Sequence, residues 1–312
     1  MNIVDVKNVT KRFNDKLVLD NISFQIKEGE IFGLIGPNGA GKSTLINIIT
    51  TLLTSNSGEI SICGYDIQKD PLKAKANIGL VPQELAIIEE MSAYDNLEFF
   101  GSFYKLHGKV LKERIKEVLD ITGLYDRRKE KVKTFSGGMK RRLNIAAAIM
   151  HHPKVLIMDE PTVGVDPQSR NLIFEFTKRV CNEEGMTVIY TSHYMEEIEE
   201  LCSRIFIIDL GEEVSYGTKD EILETININT KVKIEATGVN AEALYKISKL
   251  PSVVDVTEDD DKSLLIEITN NFRISEVISL LEESNAILNK ISYVEVKLED
   301  AFLLLTGKSL RD

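Results

Sequence analysis

At 312 residues the chain has room for one large domain and one smaller one, and 43% hydrophobic with 28% charged residues match an ordinary soluble globular protein. A net charge of −11 argues against a surface built to grip nucleic acid, so no nucleic-acid partner is expected. No run reaches the ~18 apolar residues of a membrane span, which leaves any role at a membrane peripheral or borrowed from a partner.

The opening "MNIVDVKNV" lacks the basic start and apolar core of a signal peptide. Cys63, Cys181 and Cys202 are odd in number and widely spaced, which suggests neither a disulfide framework nor a zinc knuckle and fits a reducing cytosol. The apolar run "IFGLIG" reads as a buried strand. It ends at "GPNGAGKS", residues 36–43, and a helix follows with Leu45, Ile48, Ile49 and Leu52 at i, i+3, i+4, i+7. A strand, a G-x-x-x-x-G-K-[ST] loop and a helix together form a phosphate-binding loop. Gly36, Gly39 and Gly41 let backbone amides turn toward bound oxygens, and the helix start adds partial positive charge. Lys42 is placed to reach the β- and γ-phosphates of a nucleotide, and the Ser43 hydroxyl to ligate Mg²⁺. The nucleotide-binding stretch is Gly36, Pro37, Asn38, Gly39, Ala40, Gly41, Lys42, Ser43 and Thr44.

Residues 85–150 read as a helical insert, with helices expected over 93–106, 110–122 and from Ser136 to about Met150. The first carries Phe99, Phe100, Phe103 and Tyr104 and is apolar around much of its circumference; core packing and a groove for a partner helix both accommodate it. The third opens "TFSGGMKRR". Ser136 is a good N-cap, but Gly137 and Gly138 and then Lys140, Arg141 and Arg142 all disfavour a helix start. An anion docked on the amides of 136–138 would offset those penalties; a solvated basic face is the plainer alternative. His151 and His152 are expected on the surface at the end of this helix.

"VLIMDE" (155–160) and "MTVIYTS" (186–192) read as buried strands with a helix over 167–184 between them, which predicts a mostly parallel sheet with helices on its faces. Asp159 and Glu160 then fall at the carboxyl edge of the sheet, where ligands of such sheets sit. Asp159 suits a Mg²⁺ shell and Glu160 suits orienting a water, although a strand-end Asp-Glu pair alone also serves as a helix cap. Past about Asn227, alternation at Val232, Ile234 and Ala236 marks a strand. A helix near 240–250, "VVDV", an acidic hairpin turn at Asp259–Asp261, "LLIEI", a helix through Ile274 to Leu281, and a strand at 293–298 complete a β-α-β-β-α-β order, the ferredoxin-like α+β arrangement. The expected domains are therefore 1–226, an α/β P-loop NTPase core with the helical insert, and 227–312, an accessory module.

These motifs, in this order, resemble the ATP-binding cassette family over roughly residues 3 to 220. "FSGGMKRR" is similar to that family's signature, with Phe135 and Met139 where leucine and glutamine are usual. The resemblance implies that Gln83 in "GLVPQE" meets Mg²⁺ and senses a transport partner. It likewise implies that Asp166 in "TVGVDP" couples a dimer, that His193 in "YTSHYMEE" contacts the γ-phosphate, and that Phe13 in "KRFNDKLVL" stacks on adenine. It further implies that Ser136, Gly137 and Gly138 of one subunit close over ATP held by another, so that two chains sandwich two nucleotides. Glu160, His193 and Lys42 would then be the catalytic groups, with Ser43, Gln83 and Asp159 around the metal. "SGGMKRRLNIAAAIMHHP" and the tail "LEDAFLLLTGKSL" resemble ATP-binding subunits of bacterial drug, antibiotic or lipid exporters, which work through a separate membrane permease. Such a subunit is cytoplasmic and peripheral on the inner face of the cell membrane. A soluble cassette ATPase acting on ribosomes or DNA is the alternative.

Overall fold

The computed structural model describes residues 1–226, 230–260, 263–269, 272–294 and 297–307. The chain forms two compact units: Met1–Ile222 together with the chain from Phe302 onward, and Leu223–Ala301.

The first unit is built on a six-stranded sheet in the order β10-β9-β3-β8-β7-β6, made by β3 (Ile31–Ile35), β6 (Ile78–Val81), β7 (Val155–Met158), β8 (Thr187–Tyr190), β9 (Arg204–Asp209) and β10 (Glu212–Gly217). Five of these strands run parallel, and β10 pairs antiparallel with β9. Every residue of β3, β7 and β8 is buried, which is why these strands are uninterrupted apolar runs in the sequence. A second sheet was not foreseen. It is antiparallel, in the order β2-β1-β4-β5, from β1 (Asn2–Phe13), β2 (Lys16–Lys27), β4 (Ser57–Ile62) and β5 (Tyr65–Asp66).

Helix α1 (Lys42–Ile49) lies in one core with both sheets, which explains why Leu45, Ile46, Ile48 and Ile49 are all buried. The single apolar face expected for this helix is thus too narrow, and Leu52 is not on it: the helix ends at Ile49 and Leu52 is 63% exposed. A short α2 (Pro71–Lys75) precedes β6.

The insert contains α3 (Ala93–Phe103), α4 (Gly108–Ile121) and α5 (Gly137–Ala148). A Ser92–Asp95 capping box starts α3, and the Ser136 hydroxyl accepts from the Met139 N–H to start α5. The aromatics of α3 do not enter the core. Ala93, Asn96, Leu97 and Gly101 make its buried side, while Phe99, Phe100 and Phe103 cluster edge-on with one another and Phe103 is 65% exposed. His151 also departs from expectation. It is half-buried, its ring stacked 3.8 Å from Tyr104 and its Nε2 2.9 Å from the Ile78 carbonyl, and burial pulls its pKa down to about 4. His152 is exposed as expected. The remaining helices of this unit's main stretch are α6 (Pro167–Asn182) and α7 (Met195–Leu201); α8 (Lys219–Thr225) crosses out of it at Ile222.

The second unit runs β11 (Thr230–Thr237), α9 (Ala241–Ser248), β12 (Val253–Asp260), β13 (Ser263–Ile268), α10 (Ile274–Glu283) and β14 (Ile287–Val294), an antiparallel sheet in the order β12-β13-β11-β14. The order of elements and strands is ferredoxin-like. Two details differ from the sequence reading. The last strand lies earlier than 293–298, because β11 fixes its register from Thr237↔Ile287 to Lys231↔Val294. Leu298 instead begins α11 (Leu298–Thr306), where Leu298, Ala301 and Phe302 are buried at helical spacing. Asp261 of the acidic turn, Val296 of the anticipated strand and the end of the "LEDAFLLLTGKSL" tail lie outside the described residues.

Candidate nucleotide site

The loop between β3 and α1 depends on two glycines for different reasons. A Cβ on Gly36 would sit 2.1 Å from the Ile208 carbonyl of β9, so the strand backbone can approach only a glycine. Gly41 takes φ +112° at the start of α1, and a Cβ there would press on Leu19 at 2.8 Å. Around this loop lies a cavity of about 480 Å³, lined by Phe13, Asn38 to Thr44, Gln83, Glu160 and His193 among others. That volume lies within the range of small-molecule sites.

Lys42 is almost wholly buried, its ammonium donating to the carbonyls of Gly36 (2.5 Å) and Pro37 (3.1 Å). Burial lowers its pKa, and the charges of Glu160 and Asp159 oppose that shift. A buried cation that, among the described residues, hydrogen-bonds carbonyls and forms no ion pair suits a polyanion. Phe13, at the end of β1, is half-exposed with the Lys11 ammonium 5.0 Å from its ring centre.

Glu160 is the meeting point. One carboxylate oxygen contacts Nε2 of His193, and the other accepts from the Gln83 side-chain amide at 2.9 Å. Its backbone is in the left-handed region, φ +47°, a conformation that costs a non-glycine residue roughly 1 kcal/mol or more. Thr191, fully buried at the end of β8, holds that backbone in place: its Oγ1 accepts from the Glu160 N–H at 2.9 Å and donates to Asp159 Oδ1 at 2.8 Å. Burial raises the Asp159 pKa despite that hydrogen bond and the nearby Lys42 charge. Sequence reasoning missed Thr191. Its only signal was a hydroxyl residue at the end of an apolar run, and pairing across neighbouring strands was needed to aim it.

Ser136, Gly137, Gly138 and Asp166 do not line this cavity. They lie beside one another: the Asp166 carboxylate caps α6 by accepting from Ser169 N–H at 2.9 Å, which holds its pKa low, and α6 packs on α5 there. A Cβ on Gly138 would come within 2.0 Å of Ser169 Oγ, whereas one on Gly137 would meet nothing nearer than 3.8 Å. The cations after the glycines also have partners within the chain, although Nε of Arg141 and of Arg142 is buried without one. Lys140 pairs with Glu89 at 2.6 Å, Arg142 donates to the Thr122 carbonyl at 2.7 Å, and buried Arg141 donates to the carbonyls of Pro82 (2.8 Å) and Gln83 (2.7 Å). The energetic case for an anion at residues 136–138 therefore narrows to exposed Ser136 and Gly137. Arg141 gains a role the sequence did not disclose, tying the third helix of the insert to the Gln83 loop.

Fold and cavity together define a nucleotide-binding protein of the P-loop class. Residues 19–163 match the ABC transporter family. The chain is 49% identical to the linearmycin resistance ATP-binding protein LnrL of Bacillus subtilis (strain 168), spanning 99% of this chain and 100% of that one. It is 34% identical to the daunorubicin resistance ATP-binding protein DrrA3 of Streptomyces coeruleorubidus, spanning 99% and 97%. A dimeric ATP-binding cassette solved in a post-hydrolysis state with ADP and Pi superposes with a TM-score of 0.63 at 29% identity, over 69% of this chain and 98% of that one. The chain belongs to the ABC transporter family, as an ATP-binding protein that hydrolyses ATP.

Proposed function

We propose that this protein is the energy-coupling ATPase of an exporter for a drug-like, antibiotic or lipid compound, working as a pair of ATP-binding subunits beneath a separate membrane permease. The observation that carries the reading is the convergence of Lys42, Gln83, Glu160 and His193, with Phe13 at the margin, on one cavity beside the phosphate loop. The resistance proteins LnrL and DrrA3 support the exporter class. Among the described residues no helix is long and apolar enough to cross a membrane, in keeping with a subunit held at the inner membrane face through its partner. The proposed division is a cassette over 1–226, with its helical subdomain at about 85–150, and an accessory domain over 227–312.

In this reading the triphosphate lies along the amides of residues 36–44, with Lys42 against its β- and γ-phosphates and Phe13 against adenine. Ser43, Gln83 and Asp159 would hold Mg²⁺: a hydroxyl, an amide carbonyl and one carboxylate are the hard oxygen donors that ion takes alongside phosphate. The metal, when bound, supplies neutralisation of phosphate charge. Glu160, with lone pairs beyond those occupied by His193 and Gln83, orients a water for in-line attack and receives its proton. His193 stabilises charge on the departing phosphate. Ser136 and Gly137 of a second subunit complete the site, and Asp166 lies where the two subunits communicate. In this reading the permease docks on the groove of about 310 Å³ that Leu80, Ala86, Phe100 and Tyr104 help to line, next to the exposed aromatics of α3.

The test is Glu160→Gln. It should bind ATP, hydrolyse it at least a hundredfold more slowly (on the order of the loss of a positioned base), and elute as a dimer in ATP. A variant that remains monomeric with ATP and Mg²⁺ would remove the paired-subunit reading.

A further inference from the structure

Glu197, on α7, is 2% exposed and forms no ion pair among the described residues. A lone carboxylate in that position is costly, and an apolar side chain of similar volume would ordinarily serve stability better. What surrounds it is specific. A single oxygen, Oε2, accepts hydroxyl hydrogen bonds from Thr162 (2.8 Å), Tyr190 (3.1 Å) and Ser192 (2.7 Å), while Oε1 is buried without a partner. All three donors are themselves buried.

Those donors are not scattered. Thr162 follows Glu160 by two residues on the segment leaving β7. Ser192 immediately precedes His193 on the segment leaving the neighbouring strand β8. The Ser192 hydroxyl also accepts from the Tyr194 N–H at 3.0 Å, so residues 192–194 turn around that oxygen with His193 at the apex. His193 in turn reaches Glu160, closing a ring of contacts from Glu160 through Thr162, Glu197, Ser192 and His193 back to Glu160.

We infer that Glu197 is a positioning residue for ATP hydrolysis: its buried carboxylate locks the His193 turn to the strand end that bears Glu160. It does not line the cavity beside the phosphate loop and acts through His193 and Glu160, so the inference rests on the roles proposed for those two. Misplacing a catalytic group by an ångström can slow turnover by up to about a hundredfold. Relieving a buried carboxylate, by contrast, should not weaken the fold. The two effects should therefore move in opposite senses.

The experiment compares steady-state ATP hydrolysis and melting temperature for the full chain and four variants: Glu197→Gln, Ser192→Ala, His193→Ala and the Glu197→Gln/His193→Ala double variant. Glu197→Gln and Ser192→Ala should each lose about tenfold in kcat with KM for ATP changed by less than about twofold. Glu197→Gln should melt no lower than the parent. The double variant should be no more than about twofold slower than His193→Ala, because the two changes break one unit. Ser192→Ala keeps the carboxylate in place, so it decides the matter should Glu197→Gln not fold. Parental kcat in Glu197→Gln and Ser192→Ala, losses that multiply in the double variant, or a melting temperature that falls in step with kcat would each overturn the inference. Parental kcat in His193→Ala would overturn the role of His193 itself, and this inference with it.

Discussion

Asp159 and Glu160 are adjacent in the chain, yet the fold treats them differently. Asp159 takes a hydrogen bond from Thr191, while Glu160 is turned by a left-handed backbone onto His193 and Gln83. Asp159 also has a thermodynamic signature. Burial raises its pKa above the ordinary 3.8, so the native state holds that proton more tightly than the unfolded chain does. Above that range the unfolded state releases its proton first, and the contribution of Asp159 to stability falls as pH rises. Asp159→Asn keeps an acceptor for Thr191 and removes the partly buried charge. It should therefore melt higher than the parent at neutral pH, with the gain shrinking as pH falls toward 3.8, while losing Mg²⁺-dependent hydrolysis. Melting curves across that pH range, set beside activity, check both halves. The trade is the expected one if Asp159 serves the proposed Mg²⁺ site rather than stability.

Helix α5 shows how one element can serve two demands at its first turn. Gly138 is required by packing, since Ser169 of α6 occupies the space a side chain would need; Gly137 faces outward with room to spare. The two should separate cleanly on substitution. Gly138→Ala must push α6 away or shift Ser169, a loss of about 1–3 kcal/mol. Gly137→Ala should leave stability equal or raise it by about 0.4–1 kcal/mol, because alanine restricts the unfolded chain and favours the helix. If residues 136 and 137 close over a second subunit's nucleotide, Gly137→Ala should nevertheless weaken ATP-dependent dimerisation. Urea unfolding of the two variants reads the first contrast, and sedimentation with and without ATP reads the second. Further along the same helix, Arg141 donates to the carbonyls of Pro82 and Gln83 and so ties α5 to the Gln83 loop.

Across the whole molecule, the apolar surface left over is informative. Phe99 and Phe103 are exposed on α3 while the opposite side of that helix is packed, so the cluster is surplus to this chain's own core. Under the proposed exporter reading, that surplus is where the permease docks. Phe103→Glu should change stability by no more than about 0.5 kcal/mol, the range of exposed positions. It should still lower recovery of a co-expressed permease from detergent-solubilised membranes severalfold. Undiminished recovery would move the docking surface elsewhere.

What could be read from residues alone was set by local geometry. The phosphate loop, the buried strands read over 155–160 and 186–192, the helix read over 167–184, which ends at Asn182, and the β-α-β-β-α-β order each depend on spacing within a few residues, and spacing is written in the chain. Other features depended on what packs on what. The twelve-residue strands β1 and β2 pair with each other through several register shifts, so the regular alternation of Ile22, Phe24 and Ile26 covers only part of their length, and the core they bury is completed by β4 and α1. The last strand of the second unit took its register from β11, not from its own alternation. The aromatics of α3 were sequence-equivalent to a core face until the fold put its buried side elsewhere. Thr191, Arg141 and Glu197 lie inside the stretches "YTSHYMEE" and "FSGGMKRR", but spacing alone gave none of them a role. Thr191 reaches Asp159 and Glu160 across neighbouring parallel strands, Arg141 reaches the Gln83 loop from α5, and Glu197 joins Thr162 to Ser192; a hydrogen bond between residues far apart in the chain is a property of the tertiary structure alone.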